Sequence, residues 1–148
     1  MPLSYQEPIK SKKCIMLGWG DTKGTGHENV LKQVEIPLVS NEQCNDDRWR
    51  SCGIRSCMMC AGGLNEAPCA VSSFVKFFEH ELIVKIQGDS GGPLFCPWHN
   101  GLYQLHGIYS YGRCGADVKK PSVFTRVSHY MDWIKETISP DLLSAADL

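Results

Sequence analysis

Long apolar runs are missing from this 148-residue sequence, and so is a surplus of either charge. No stretch approaches the ~18 residues of a membrane-spanning helix. Fifteen Lys and Arg stand against sixteen Asp and Glu, a net charge of −1. Nucleic acids and anionic membranes attract basic patches, so neither is expected as a partner. No Asn-x-Ser/Thr glycosylation site occurs, and no internal repeat. The start, "MPLSYQEPIKSKKC", has no apolar core segment and no small-residue cleavage site. It is therefore not expected to be a secretory leader.

Cysteine, by contrast, is plentiful: Cys14, Cys44, Cys52, Cys57, Cys60, Cys69, Cys96 and Cys114. An even count spread along a chain suggests disulfides and an oxidising compartment. Zinc is the competing reading, because "CGIRSCMMC" is closely spaced. No second ligand pair follows it with finger-like geometry, so no metal is expected.

The hydrophobic pattern is mostly β. "CIMLGWG" reads as a buried strand ending at glycine. "VLKQVEIPLV" alternates at Val34, Ile36 and Leu38, with Pro37 suited to an edge or a bulge. In "SNEQCN", Ser40 and Gln43 have the spacing of a capping box at a short helix start. "MMCAGG" is another short strand, and "GGPLFCPW" and "LYQLHGIYSYG" read as neighbours joined at "HNG". Val127, Tyr130, Met131, Ile134 and Ile138 form one helical stripe, with Pro140 soon after. Short antiparallel strands with a terminal helix fit a small barrel. Ala70 to Ile86, "AVSSFVKFFEHELIVKI", breaks this rhythm and fits neither helix nor strand.

Directly after that segment comes "IQGDSGGPLFC". Glycines allow a tight turn that exposes a hydroxyl and aims backbone N–H groups at a developing oxyanion. Ser90 is thus either a nucleophile or an ordinary turn serine.

Its surroundings point further. "CIMLGWGDT", "LKQVEIPLVSNEQCN", "MMCAGG", "QGDSGGPLFC", "HGIYSYGRCG" and "KPSVFTRVSHYMDWI" occur in one order. Together they resemble the C-terminal half of a trypsin-like (chymotrypsin-family) serine protease, from Cys14 to Ile138 apart from the inserted segment. The resemblance implies an all-β fold: the second six-stranded antiparallel barrel with a C-terminal α-helix, the first barrel being absent. The chain then divides into an N-terminal segment 1–13, a partial protease domain 14–139 interrupted by an insert 70–86, and a tail 140–148. By resemblance Cys14 pairs with Cys96, Cys44 with Cys60 and Cys69 with Cys114. Cys52 and Cys57 are left to pair locally or with another chain.

The same resemblance assigns roles. Ser90 is the nucleophile, and the N–H groups of Gly88 and Ser90 form the oxyanion hole. Asp89 is the carboxylate that the family pairs with a newly freed N-terminal ammonium. Ala67 lies at the base of the specificity pocket, with Pro68, Gln87 and Ser122 around it. Ser110-Tyr111-Gly112 matches the segment that pairs with the substrate backbone, with Tyr111 where the family usually has Trp. Ala67 carries no charge, so a basic side chain is not the expected substrate; Ser122 narrows the pocket toward small or medium apolar groups. The implied reaction is peptide-bond hydrolysis through an acyl-enzyme, with peptides, proteins or inhibitors as partners, an extracellular setting and no cofactor.

In that family histidine takes the serine proton and an aspartate fixes its tautomer, roles that come with the resemblance. Motifs resembling T-A-A-H-C and D-I-A-L, which carry them, do not occur here. His27, His80, His99, His106 and His129 each lack the family position of the base. The chain is therefore expected to be inactive as it stands: a truncated lineage member, a non-catalytic interaction module, or a non-functional splice or truncation product that misfolds. Without an ammonium, Asp89 is expected to leave the serine turn disordered and zymogen-like, or to point into solvent. The insert places Phe74, Phe77, Phe78, Leu82 and Ile83 close before that turn, where they form an aggregation or docking surface if exposed.

Overall fold

A computed structural model describes residues 6–8, 13–20, 30–46, 53–62, 89–98, 101–112 and 121–138. Among them are six strands: β1 (Lys13–Gly18), β2 (Lys32–Val39), β3 (Met58–Ala61), β4 (Pro93–Pro97), β5 (Tyr103–Tyr111) and β6 (Ser122–Arg126). Helix α1 (Asn41–Cys44) lies between β2 and β3. A 3-10 helix (Val127–Tyr130) and α2 (Met131–Thr137) follow β6. The strands close into one antiparallel barrel in the order β1-β2-β3-β6-β5-β4. Closure leaves no edge strand to template pairing with another chain.

Period-two alternation decides which side chains fill the barrel. Cys14 and Met16 of β1, Ile36 of β2, Leu94 and Cys96 of β4, Tyr109 of β5 and Phe124 of β6 meet in one buried cluster. Val34 and Leu38 pack half-buried against it. Each large apolar side chain buried this way is worth about 1.5–3 kcal/mol. The Tyr109 and Phe124 rings meet edge to face at 5.5 Å. The disulfide Cys14–Cys96 ties β1 to β4 across this core. Cys44–Cys60 ties α1 to β3 in a second cluster with Val39, Ile54 and Val123. Cys69, Cys114 and Cys52 lie outside the described residues. Cys57 is a free thiol, so the local Cys52–Cys57 bridge is not made.

Ser40 caps α1, its Oγ accepting the Gln43 N–H at 3.1 Å. Pro37 stands where β2 ends its pairing with β1 and begins pairing with β3. Its carbonyl still accepts the Gly62 N–H at 2.7 Å. It is therefore at neither an edge nor a bulge; the missing donor falls where the strand changes neighbour.

The terminal stripe is divided. Val127 and Met131 are buried, and Ile134 and Ile138 half-buried, but Tyr130 faces outward. Tyr130 is the last residue of the 3-10 helix, directly before α2. Its phenol is instead hydrogen-bonded to the Cys57 side chain. Upstream, Glu7 pairs with Arg126 Nη1 and accepts from Ser128 Oγ at 3.4 Å. Part of segment 1–13 is thereby fastened to the end of β6. No helix among the described residues is long and apolar enough to cross a membrane.

Candidate active site around Ser90

Ser90 sits at the tip of a turn entering β4 and is exposed. The Gly92 N–H donates to the Asp89 carbonyl at 2.8 Å, and Gly91 has φ 86°. A positive φ at the third position belongs to a type II turn and favours glycine there. Gly92 is required for a second reason: a Cβ would lie 2.8 Å from the Asp89 carbonyl oxygen and 3.1 Å from that of Leu17. The turn is fastened to β5 on both sides of Tyr109. Gly91 N–H donates to the Tyr109 carbonyl at 2.9 Å, and Tyr109 N–H donates to the Gly92 carbonyl at 2.8 Å. The expectation of a disordered turn is thus corrected for Asp89–Gly92.

The expectation for Asp89 is corrected as well. Its carboxylate neither points freely into solvent nor lacks donors. Oδ1 accepts the Gly20 N–H at 2.6 Å, and the Trp19 N–H also bonds it. The carboxylate rests on the backbone of Gly18-Trp19-Gly20, so closely that a Cβ at Gly18 or Gly20 would overlap its oxygens. Burial pushes the Asp89 pKa up. The Gly20 N–H, the Lys32 charge and the Trp19 N–H pull it down without cancelling that rise.

Of the predicted pocket, Ser110 and Tyr111 are exposed at the end of β5, Gly112 is half-buried, and Ser122 is buried at the start of β6. A register shift between Tyr109 and Tyr111 lies against β6 here, and such bulges re-aim side chains. Gly112 and Ser122 are brought together: a Cβ on Gly112 would lie 2.9 Å from Ser122 Oγ and 2.7 Å from the Tyr109 hydroxyl. Tyr109 is thus a wall of this corner that the sequence did not disclose, since its place follows from the bulge. Gly88, Ala67, Pro68 and Gln87 lie outside the described residues, as do insert 70–86 and tail 140–148.

The two described histidines are occupied elsewhere. His106 is 2% exposed beside Trp98, ring centroids 6.4 Å apart, and its Nε2 has no hydrogen-bond partner. Burial lowers its pKa to about 4, against a smaller upward pull from Glu7. His129 stacks edge-on with Tyr130. His27, His80 and His99 lie outside the described residues. A cavity of about 560 Å³ opens beside His129, lined also by Glu7, Ser40, Asn41 and Arg126. Among the described residues, none of those predicted for catalysis or the substrate pocket lines it. Arg126 is committed to Glu7, Asn41 Oδ1 and the Ser56 and Met58 carbonyls there, which makes it a structural clamp.

The sequence matches the family described as Trypsin over residues 2–73 and 79–134. The break, 74–78, falls inside the segment read as inserted. Mouse chymotrypsin-C is 41% identical over 128 residues, covering 84% of this chain and 42% of that protein. Bovine proproteinase E is 37% identical over 129 residues, covering 85% of this chain and 44% of its own length. Human chymotrypsin-like elastase family member 3A is 36% identical over 129 residues, covering 85% of this chain and 42% of its own. The chain spans less than half the length of these relatives. A closed barrel, a glycine-built serine turn and these matches make one conclusion: the chain belongs to the trypsin family of serine proteases.

Proposed function

We propose that this chain is the nucleophile-bearing barrel of a serine endopeptidase, unable to turn over peptide substrates by itself. The observation behind this reading is the exposed Ser90 on a turn that four backbone groups and a cradled Asp89 hold in place. Ser90 Oγ attacks the scissile carbonyl, and the N–H groups of Gly88 and Ser90 receive the oxyanion. Ala67, Pro68, Gln87, Ser110-Tyr111-Gly112 and Ser122 shape the pocket, and the Tyr109 hydroxyl narrows it further toward small apolar side chains.

Among the described residues Ser90 is given no histidine as a proton acceptor. His106 is buried beside Trp98 and His129 stacks on Tyr130. Loss of the histidine alone costs on the order of 10⁶ in kcat in an unrelated serine protease. The base and its aspartate come from a first barrel outside these 148 residues. The domain runs over 14–139 with 70–86 inserted, Cys69 pairs with Cys114, and the setting is extracellular, in keeping with Cys14–Cys96 and Cys44–Cys60. A second reading, a module that binds inhibitors or partners without turnover, draws on Trp19 and Leu102, 58% and 60% exposed.

A fluorophosphonate probe tests this. The chain alone should remain unlabelled at Ser90, and added imidazole should produce labelling that Ser90→Ala abolishes. Labelling at a protease-like rate without imidazole overturns the missing base. No labelling even with imidazole overturns Ser90 as nucleophile and leaves the binding module.

A further inference from the structure

We propose that Lys32 is a positioning residue for the serine turn: seated on the Gly20 carbonyl, it holds the Gly18-Trp19-Gly20 backbone against the Asp89 carboxylate. The inference rests on reading Ser90 as the nucleophile, because it concerns what keeps that side chain's turn in order. Lys32 Nζ donates to the Gly20 carbonyl at 2.9 Å, and the N–H of the same residue donates to Asp89 Oδ1 at 2.6 Å. One residue thus links the cation to the carboxylate. The link is built into the register of the sheet: Lys32, first residue of β2, is the direct partner of Gly18, last residue of β1. The side chain therefore starts beside the cradle, and both flanking glycines leave room for the carboxylate.

Three features distinguish this arrangement from an ordinary surface lysine. The Lys13–Glu35 pair at the far end of the same two strands is 3.8 Å long with both side chains 65% exposed, the kind worth little. Lys32, in contrast, is half-buried and bonded to backbone. Among the described residues it is also the charged group that acts on Asp89. And the Asp89 carbonyl closes the Ser90 turn through Gly92, so a displaced Asp89 moves the turn with it. The cation is drawn from the barrel itself, so the turn is ordered by groups within these 148 residues.

The test is carbon-detected NMR titration of the Asp89 carboxyl in the 148-residue chain, with amide exchange at Gly20, Gly91 and Gly92. In Lys32→Met, Asp89 should titrate at higher pH than in the parent, and the three amides should exchange about tenfold faster, as loss of a charged hydrogen bond implies. Lys32→Arg should return both readouts toward the parent. An unchanged titration and unchanged exchange in Lys32→Met overturn the proposal, and so does Lys32→Arg behaving like Lys32→Met. Asp89→Asn supplies the control for a merely structural lysine. In that background Lys32→Met should add nothing at Gly91 and Gly92, and equal acceleration there overturns the proposal. No readout depends on hydrolysis, so a chain without any activity leaves the outcome legible.

Discussion

Asp89 is half-buried and His106 almost wholly buried on this barrel, and the chain treats the two in opposite ways. At the serine turn, Asp89 receives the N–H groups of Gly20 and Trp19 and the field of Lys32. On β5, His106 receives nothing at Nε2 and is packed against Trp98, with Gln104 Oε1, two residues back, also without a partner. A buried polar group without a partner costs about 1–3 kcal/mol, and far more when charged. The lesson is one of allocation. Backbone donors are spent where a turn has to be held, whereas the imidazole serves as a neutral filler that opposes its own protonation. A histidine so buried, with its pKa near 4, is poorly placed to act as a base for Ser90.

Breaking the connection between the two strands that carry the turn and its cradle should have the largest effect. Gly18 ends β1 with Trp19-Gly20 after it, the serine turn precedes β4, and Cys14–Cys96 ties those strands together. Replacing both cysteines by serine should cost about 2–5 kcal/mol of stability, measured by urea unfolding. The Gly91 amide should lose exchange protection before that of Ile36.

Acid comes next and acts on the other region. The folded-state pKa of His106, about 4, lies below the ordinary imidazole value of 6.5. The neutral form is favoured by folding, so the stability is complete above pH 6.5 and declines as pH falls from 6.5 toward 4. The loss is on the order of 3 kcal/mol. His106→Gln should flatten this slope in denaturant titrations across that range and leave the Asp89 carboxyl resonance in place. A slope unchanged in His106→Gln would move the acid sensitivity to another group.

Filling the cradle should give a smaller, local effect. Gly18→Ala places a methyl group on the Asp89 oxygens, so turn amides at Gly91 and Gly92 should lose about 1–3 kcal/mol of protection. Core amides such as that of Phe124 should hold theirs. Equal losses at both sites would mean that the turn and the barrel open together, and the contrast drawn above would fail.

How much of this was written locally in the sequence depends on the range of each interaction. The strand at Val34 was legible from alternation, those at Cys14, Met58, Leu94 and Tyr103 from short apolar runs bounded by glycine or a turn signal, and the cap at Ser40 from a three-residue spacing. The pairs Cys14–Cys96 and Cys44–Cys60 followed from the resemblance. The cradle was not legible, because Gly20 and Asp89 are 69 residues apart and meet only once the barrel closes. Lys32 became visible only through the β1–β2 register, and Tyr109 only through a bulge that no local pattern announces. The helical stripe misled at Tyr130, which ends the 3-10 helix and faces outward, and no local pattern marks that position.

The central proposal is that Ser90 is a nucleophile whose base is supplied from outside these 148 residues. It is tested most directly by steady-state hydrolysis of peptide substrates with small apolar residues before the scissile bond, using the purified chain and its Ser90→Ala variant. The account predicts indistinguishable traces from the two proteins. Cleavage by the chain at the rate of an intact protease, abolished in Ser90→Ala, would contradict it.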